Sequence, residues 1–204
     1  LLNLARQWQL RLDEGGFQGI ETDIQQSIRA IKSYLHHVER EFSRRLDYFR
    51  LRGQDNILRY LPVGMVVVRL HEDDGLFETL ARIAAVIISG CKLRISRPEK
   101  LDNRVTRFLY AKEGQRLIGD NPVVNELDKG LIKSLTTIDR IRYAAPERVP
   151  RDVQRAAADI GFYIAHTPVR MDGRIELLQY YRPQSICNNY HRYGNLGERV
   201  SEFE

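Results

Sequence analysis

Apolar side chains recur at steps of four and three from Ile24 through Ile28, Ile31, Leu35, Val38, Phe42 and Leu46 to Phe49. That spacing draws one stripe down a helix of roughly seven turns. Glu21, Thr22 and Asp23 supply acidic and capping chemistry at its start, and Gly15, Gly16 and Gly19 separate it from a preceding helix. Arg29, Lys32, Glu39, Arg40, Arg44 and Arg45 form a charged outer face. The pattern predicts an amphipathic helix packed on its own domain rather than an exposed coiled coil. Residues 1–52 read as helical, and Gly53 ends the helix.

Beyond Gly53 the period changes. ILRYLP (57–62) alternates like an edge strand that stops at Pro62. GMVVVRL (64–70) is a continuous β-branched run, the signature of a strand covered on both faces. EDDG (72–75) is a turn, residues 76–89 have helical spacing with Gly90 at the cap position, and KLRIS (92–96) is a short strand closed by Pro98. Strand, helix and strand within about 35 residues make one βαβ unit. The alternation continues with a helix over 102–112, a possible strand RLIG (116–119) and a helix over 123–135 opened by Asn121-Pro122. A strand RIRYA (140–144), a helix opened by Pro150-Arg151-Asp152 and a strand FYIAH (162–166) follow. Residues 174–194 are aromatic, broken by Pro183, and read as an extended excursion from the sheet.

The fold class is therefore α/β: an open, mostly parallel Rossmann-like sheet with helices on both faces, a helical lead-in and an extended C-terminal strand. The expected divisions are a lead-in at 1–54, a sheet at 55–172 and a terminal strand and tail at 173–204.

Composition narrows the function classes. With 204 residues, 43% apolar and 29% charged, the chain can bury a core. Thirty-two Lys+Arg against 27 Asp+Glu give +5, and the first sixty residues hold ten basic and eight acidic side chains. That even spread argues against a nucleic-acid binder, which concentrates its basic groups on one face. Cys91 and Cys187 are too few for a disulfide scaffold or a four-cysteine zinc site and fit a reducing, cytoplasmic setting. No run of eighteen uncharged apolar residues exists. The opening LLNLARQWQLRL lacks a signal-peptide layout, and the missing initiator Met suggests a piece of something longer.

Candidate chemistry is sparse. A nucleotide-binding turn after the first core strand should be glycine-rich, so that backbone amides can approach phosphates. HEDDG instead puts Glu72, Asp73 and Asp74 where a pyrophosphate would lie. The same carboxylates offer oxygen ligands to a divalent cation, although three in a row without calcium-loop spacing read as a solvated turn. GQRLIG (114–119) lacks the ending of a P-loop, and His36-His37 point about 100° apart on a helix, so they cannot share an ion. Cys187 and His191 suggest a thiol–imidazole pair, yet four residues of extended chain separate them by about 13 Å. Tyr180, Tyr181, Tyr190, Arg192 and Tyr193 suit interface packing better than base stacking.

LPVGMVVVRLHEDDGLFETLARIAAVIISGCKLRISRPE (61–99) resembles the start of the cofactor domain of the aldehyde dehydrogenase superfamily, with Gly64 and Gly90 on the family glycines. Asp73 stands where the family Asn helps form the oxyanion hole, and Ser96 near the family Lys that meets the cofactor ribose. The second glycine turn, the base glutamate and the Gly-Gln-x-Cys nucleophile have no counterpart. IELLQYYRPQSICNNYHRYGNLGER (175–199) resembles the C-terminal region of proline utilization A proteins, bifunctional flavoenzymes that oxidise proline to glutamate, and the oligomerisation strand of aldehyde dehydrogenases. Longer proline utilization A proteins carry an extra C-terminal domain with an aldehyde-dehydrogenase-like fold and no active site.

The resemblance implies a role by contact. Such a domain packs on the aldehyde dehydrogenase part and helps cover the passage for pyrroline-5-carboxylate, with NAD and FAD in the parent protein and no cofactor, metal or catalytic residue in this chain. The implied partners are the catalytic domains of the same polypeptide, with a possible homodimer through 174–194 and neither nucleic acid nor an integral membrane segment. The alternative is a divergent domain that retains NAD affinity. A DNA-binding module is a third reading, but nothing here resembles the ribbon-helix-helix used by some members.

Overall fold

A computed structural model describes residues 1–189. Helices α1 (Leu2–Asp13) and α2 (Glu21–His37) come first, and a π-helical turn, Val38–Phe42, closes α2. Strands β1 (Arg45–Asp47) and β2 (Gln54–Pro62) form a hairpin. The βαβ unit follows as β3 (Met65–Arg69), α3 (Leu76–Ile88) and β4 (Lys92–Arg97). Then come α4 (Arg104–Tyr110), α5 (Lys112–Ile118), β5 (Val123–Asn125), α6 (Asp128–Lys133), β6 (Arg140–Arg142), α7 (Arg151–Asp159) and β7 (Ile164–Ala165). A short helix α8 (Gly173–Glu176) with a 3-10 turn leads into β8 (Tyr181–Asn189).

The main sheet has the order β5-β4-β3-β6-β7, and every pairing is parallel. The chain winds outward from β3 to β5 and then returns to β3's other side, so strand order reverses between β3 and β6. Val66 and Val68 are buried under α1–α5, while Val67 and Ile141 are buried under α6 and α7. Both faces are thus covered, which is why β3 reads as an unbroken apolar run. Trp8 anchors α1: it lies edge-on to Phe17 and Phe108 and donates from Nε1 to Glu113 Oε2 at 3.3 Å. The α/β class, the parallel sheet and the helices on both faces are as the pattern predicts.

Several elements differ. The helical reading of 1–52 holds only to Phe42; residues 45–47 pair with β2, and Phe49 is 73% exposed. Gly53, at φ +85°, sits in the hairpin rather than at a helix end. A 4-3 apolar spacing cannot distinguish a helix from a buried turn followed by a half-buried strand. Strand β2 is central in a second, antiparallel sheet of order β1-β2-β8, not an edge. RLIG is the end of α5, with Leu117 and Ile118 buried against the core. Asn121-Pro122 opens a strand, since Pro122 O already accepts the Ile95 amide, and the helix starts later, at Asp128. The terminal excursion begins with α8 and its 3-10 turn, and β8 then pairs along its whole length with β2 of the same chain. Pro183 does not break β8, because an edge strand tolerates a missing donor. Residues 190–194, part of the expected dimer contact, lie outside the described residues.

Candidate functional site

In open α/β sheets ligands lie outside the carboxyl ends of the strands, where strand order reverses. Here that place is between the ends of β3 and β6, and a buried ionic lattice fills it. Arg82, on the sheet-facing side of α3, is 0% exposed. Its Nη1 donates to Arg69 O (2.9 Å) and Arg142 O (3.2 Å), the last residues of β3 and β6. Its Nη2 donates to Asp74 Oδ2 (2.5 Å) and to Thr79 Oγ1 (3.4 Å), and its Nε to Glu78 O (3.1 Å). Asp74 Oδ2 also accepts the His71 amide at 3.0 Å, and its Oδ1 accepts Arg148 Nη1 at 2.9 Å. Arg148 reaches Glu78 Oε2 as well, at 2.6 Å.

Two further arginines extend this lattice across the strand ends. Arg69 donates to Ser96 Oγ (2.8 Å), Glu126 O (3.0 Å) and Asp128 Oδ1 (2.8 Å). Arg142 forms a two-pronged pair with Glu176 (2.8 and 3.1 Å), and Tyr180 Oη donates to the same carboxylate at 2.9 Å. Burial works against the Arg142 charge, but Tyr180 and Glu176 outweigh it and raise the guanidinium above its ordinary value. Desolvation, with Glu176 beside it, pushes the Tyr180 phenol well up. Charges so deep in a protein persist only when paired in this way.

The amino end of α3, where a phosphate would approach, is occupied by carboxylates. Glu78 Oε2 accepts the Gly75 amide at 2.8 Å, and Asp23 Oδ1 accepts the Phe77 amide at 3.2 Å. Backbone donors that attract an anion are thereby satisfied internally by negative charge. These residues do not fit a dinucleotide pyrophosphate.

The acidic turn divides. Asp74 turns inward to Arg82 and Arg148, so it neither faces a phosphate nor joins a cation site. Glu72 and Asp73 stay exposed, and His71 takes Asp74's place beside them: ligand atoms of His71, Glu72 and Asp73 lie within 4.8 Å of one another. His71 Nδ1 accepts the Asp73 amide at 3.2 Å. An open cavity of about 420 Å³ flanks His71 and Glu72, with Lys100 and Asn103 on its other wall. Ser96 is fully buried and donates to Glu126 Oε1 at 2.6 Å, which removes it from any ribose.

The remaining candidates are scattered. Half-buried Cys91 donates to Tyr180 O at 3.3 Å, and exposed Cys187 lies on β8, while His191 is outside the described residues. His36 and His37 meet edge to face, and His37 Nε2 lies 3.7 Å from Asp172. Tyr180 and Tyr181 are buried rather than displayed; Tyr190, Arg192 and Tyr193 are outside the described residues. Sequence patterning does not single out Arg69, Arg82, Arg142 or Arg148. The available signal was Arg82, a single cation within a helix apolar all round, where a charge must be buried and paired.

No protein-family model matches the chain, and no curated protein does. Solved structures do. Proline utilization A from Corynebacterium freiburgense superposes with a TM-score of 0.53 and 22% identity over 89% of this chain. A proline utilization A structure with proline bound in remote sites gives 0.60 and 16% over 81%. The glyceraldehyde-3-phosphate dehydrogenase GapN from Methanocaldococcus jannaschii, complexed with NADP, gives 0.59 and 16% over 80%. The chain spans 15%, 18% and 39% of those proteins, respectively. At these identities the likeness is one of fold: a Rossmann-like parallel sheet flanked by helices, as in those aldehyde dehydrogenase and proline utilization A structures. Among the described residues no helix is long and apolar enough to cross a membrane.

Proposed function

We propose that this chain is a non-catalytic structural domain of a bifunctional proline-catabolic oxidoreductase. It packs on the aldehyde dehydrogenase part and helps enclose pyrroline-5-carboxylate on its way to glutamate. The observation that carries the reading is the Arg82–Asp74–Arg148 lattice, which occupies the ligand crevice of a dehydrogenase-like sheet with the chain's own side chains. The likeness to two proline utilization A proteins, one over 89% of the chain, supports the choice of parent. Enclosing a reactive intermediate requires a complementary wall and no nucleophile. NAD and FAD belong to the catalytic domains of that parent, which are also this domain's partners, in the cytoplasm.

The test is aldehyde oxidation by the isolated chain with NAD and L-glutamate γ-semialdehyde. No turnover above buffer is expected. Turnover abolished by Cys187→Ala would overturn the reading in favour of a divergent dehydrogenase.

A further inference from the structure

At the opposite end of the parallel sheet from the filled crevice lies a second cavity, of about 380 Å³. It sits between the π-helical turn, the β1–β2 hairpin and the last turn of α3 (Ile88–Gly90). Arg44, Arg45 and Arg59 line it, together with Tyr60 and Pro62, and no carboxylate among the described residues does. Its volume is that of a small-molecule site, and single π-helical turns recur at such places.

The hairpin register adds a second, independent observation. Arg45 stands directly opposite Arg59. Like charges in that relation destabilise a ladder. A natural sequence keeps such a local conflict where something else resolves it. Among the described residues nothing does: Arg45 has no hydrogen-bond or ion-pair partner. Arg59 uses Nε for Gln184 Oε1, Arg44 uses Nε for Glu39 O, and the Nη groups of both remain. Glu41, on the same turn, is engaged by Arg174 at 3.1 Å. The last turn of α3 does not oppose an anion strongly, because the Val86 and Ile87 carbonyls accept the Cys91 and Gly90 amides.

We propose that this cavity binds a phosphate group carried by a small molecule. The oxyanion sits among Arg44, Arg45 and Arg59, and the rest of the ligand lies against Tyr60 and Pro62. Guanidinium groups suit such an oxyanion because their N–H forks match its oxygens. The site is separate from the dinucleotide crevice.

Thermal unfolding of the chain in inorganic pyrophosphate, at ionic strength held constant with KCl, tests it. Wild-type Tm should rise by about 5–10 °C when the probe reaches 100 times its dissociation constant. Arg45→Gln should lose that rise while its Tm without pyrophosphate matches or exceeds wild type, since a repulsion has been removed. Arg29→Gln, at an exposed α2 position, should keep the full rise. Three results would each overturn the proposal: no pyrophosphate-specific shift in wild type, an undiminished shift in Arg45→Gln, or a lower Tm of Arg45→Gln without the probe. The last would mean that Arg45 only supports the hairpin.

Discussion

Replacing Arg82 with methionine keeps the apolar stem of the side chain and deletes the guanidinium that ties α3 to the ends of β3 and β6. The Arg69 and Arg142 carbonyls lose its Nη1 donor, and Asp74 loses one of its two arginines. Removing one side of a buried pair costs about 3–5 kcal/mol. Asp74 keeps Arg148 at 2.9 Å and the His71 amide at 3.0 Å, so its charge is not orphaned. That places the loss at the lower bound, about 3 kcal/mol, or roughly 6–12 °C in Tm for a chain of this size. Urea unfolding at pH 7, followed by far-UV circular dichroism, measures it. The control is Arg107→Met, which breaks the Arg107–Asp102 pair, whose side chains are 73% and 75% exposed. An exposed pair of that kind contributes about 0–1 kcal/mol. If Arg82→Met cost no more than the control, the buried lattice would not be what holds α3 onto the ends of β3 and β6.

Two further outcomes follow from the same packing. Burial holds the phenols of Tyr34 and Tyr180 above their ordinary value, and that of Tyr181 is pushed up to about 12. A raised folded value means the stability is complete below the ordinary tyrosine pKa of about 10 and is lost as pH rises through the folded value. Absorbance at 295 nm should therefore show these phenols ionising together with alkaline unfolding; ionisation of the full set by pH 10.5 with the fold intact would contradict their burial. Gly173 meets α2 so closely that an added Cβ would lie 2.7 Å from Ser33 O and 2.9 Å from Tyr34 Cα. Gly173→Ala should cost about 1–3 kcal/mol in urea, the range for overpacking, and an unchanged midpoint would refute that contact.

How far the sequence reveals this molecule depends on what each pattern encodes. The β3–α3–β4 unit is legible because a strand covered on both faces must be apolar throughout, and Val66, Val67 and Val68 are all fully buried. The terminal strand is legible as extended chain, but its partner is not. Nothing in residues 181–189 names β2, 119 to 135 positions away along the ladder, as its neighbour. The stretch 43–49 misleads because Leu46 and Phe49 stay on the apolar spacing after the helical turns have ended at Phe42. The site is the least legible part. Acidic residues after β3 look like a solvated turn until the fold turns Asp74 inward onto Arg82 and Arg148, eight and 74 residues away. Charge alternation along the chain carries no record of which pairs become buried.

Carboxylates and guanidiniums of this chain stand at the strand ends where a sheet of this kind would hold a dinucleotide. Titrating NAD into the isolated chain in a calorimeter tests it most directly. No saturable heat is expected up to millimolar NAD, because Glu78 and Asp23 cap the Gly75 and Phe77 amides and Arg82 closes the gap between β3 and β6. Saturable binding with a micromolar dissociation constant, weakened by Arg82→Met, would contradict it.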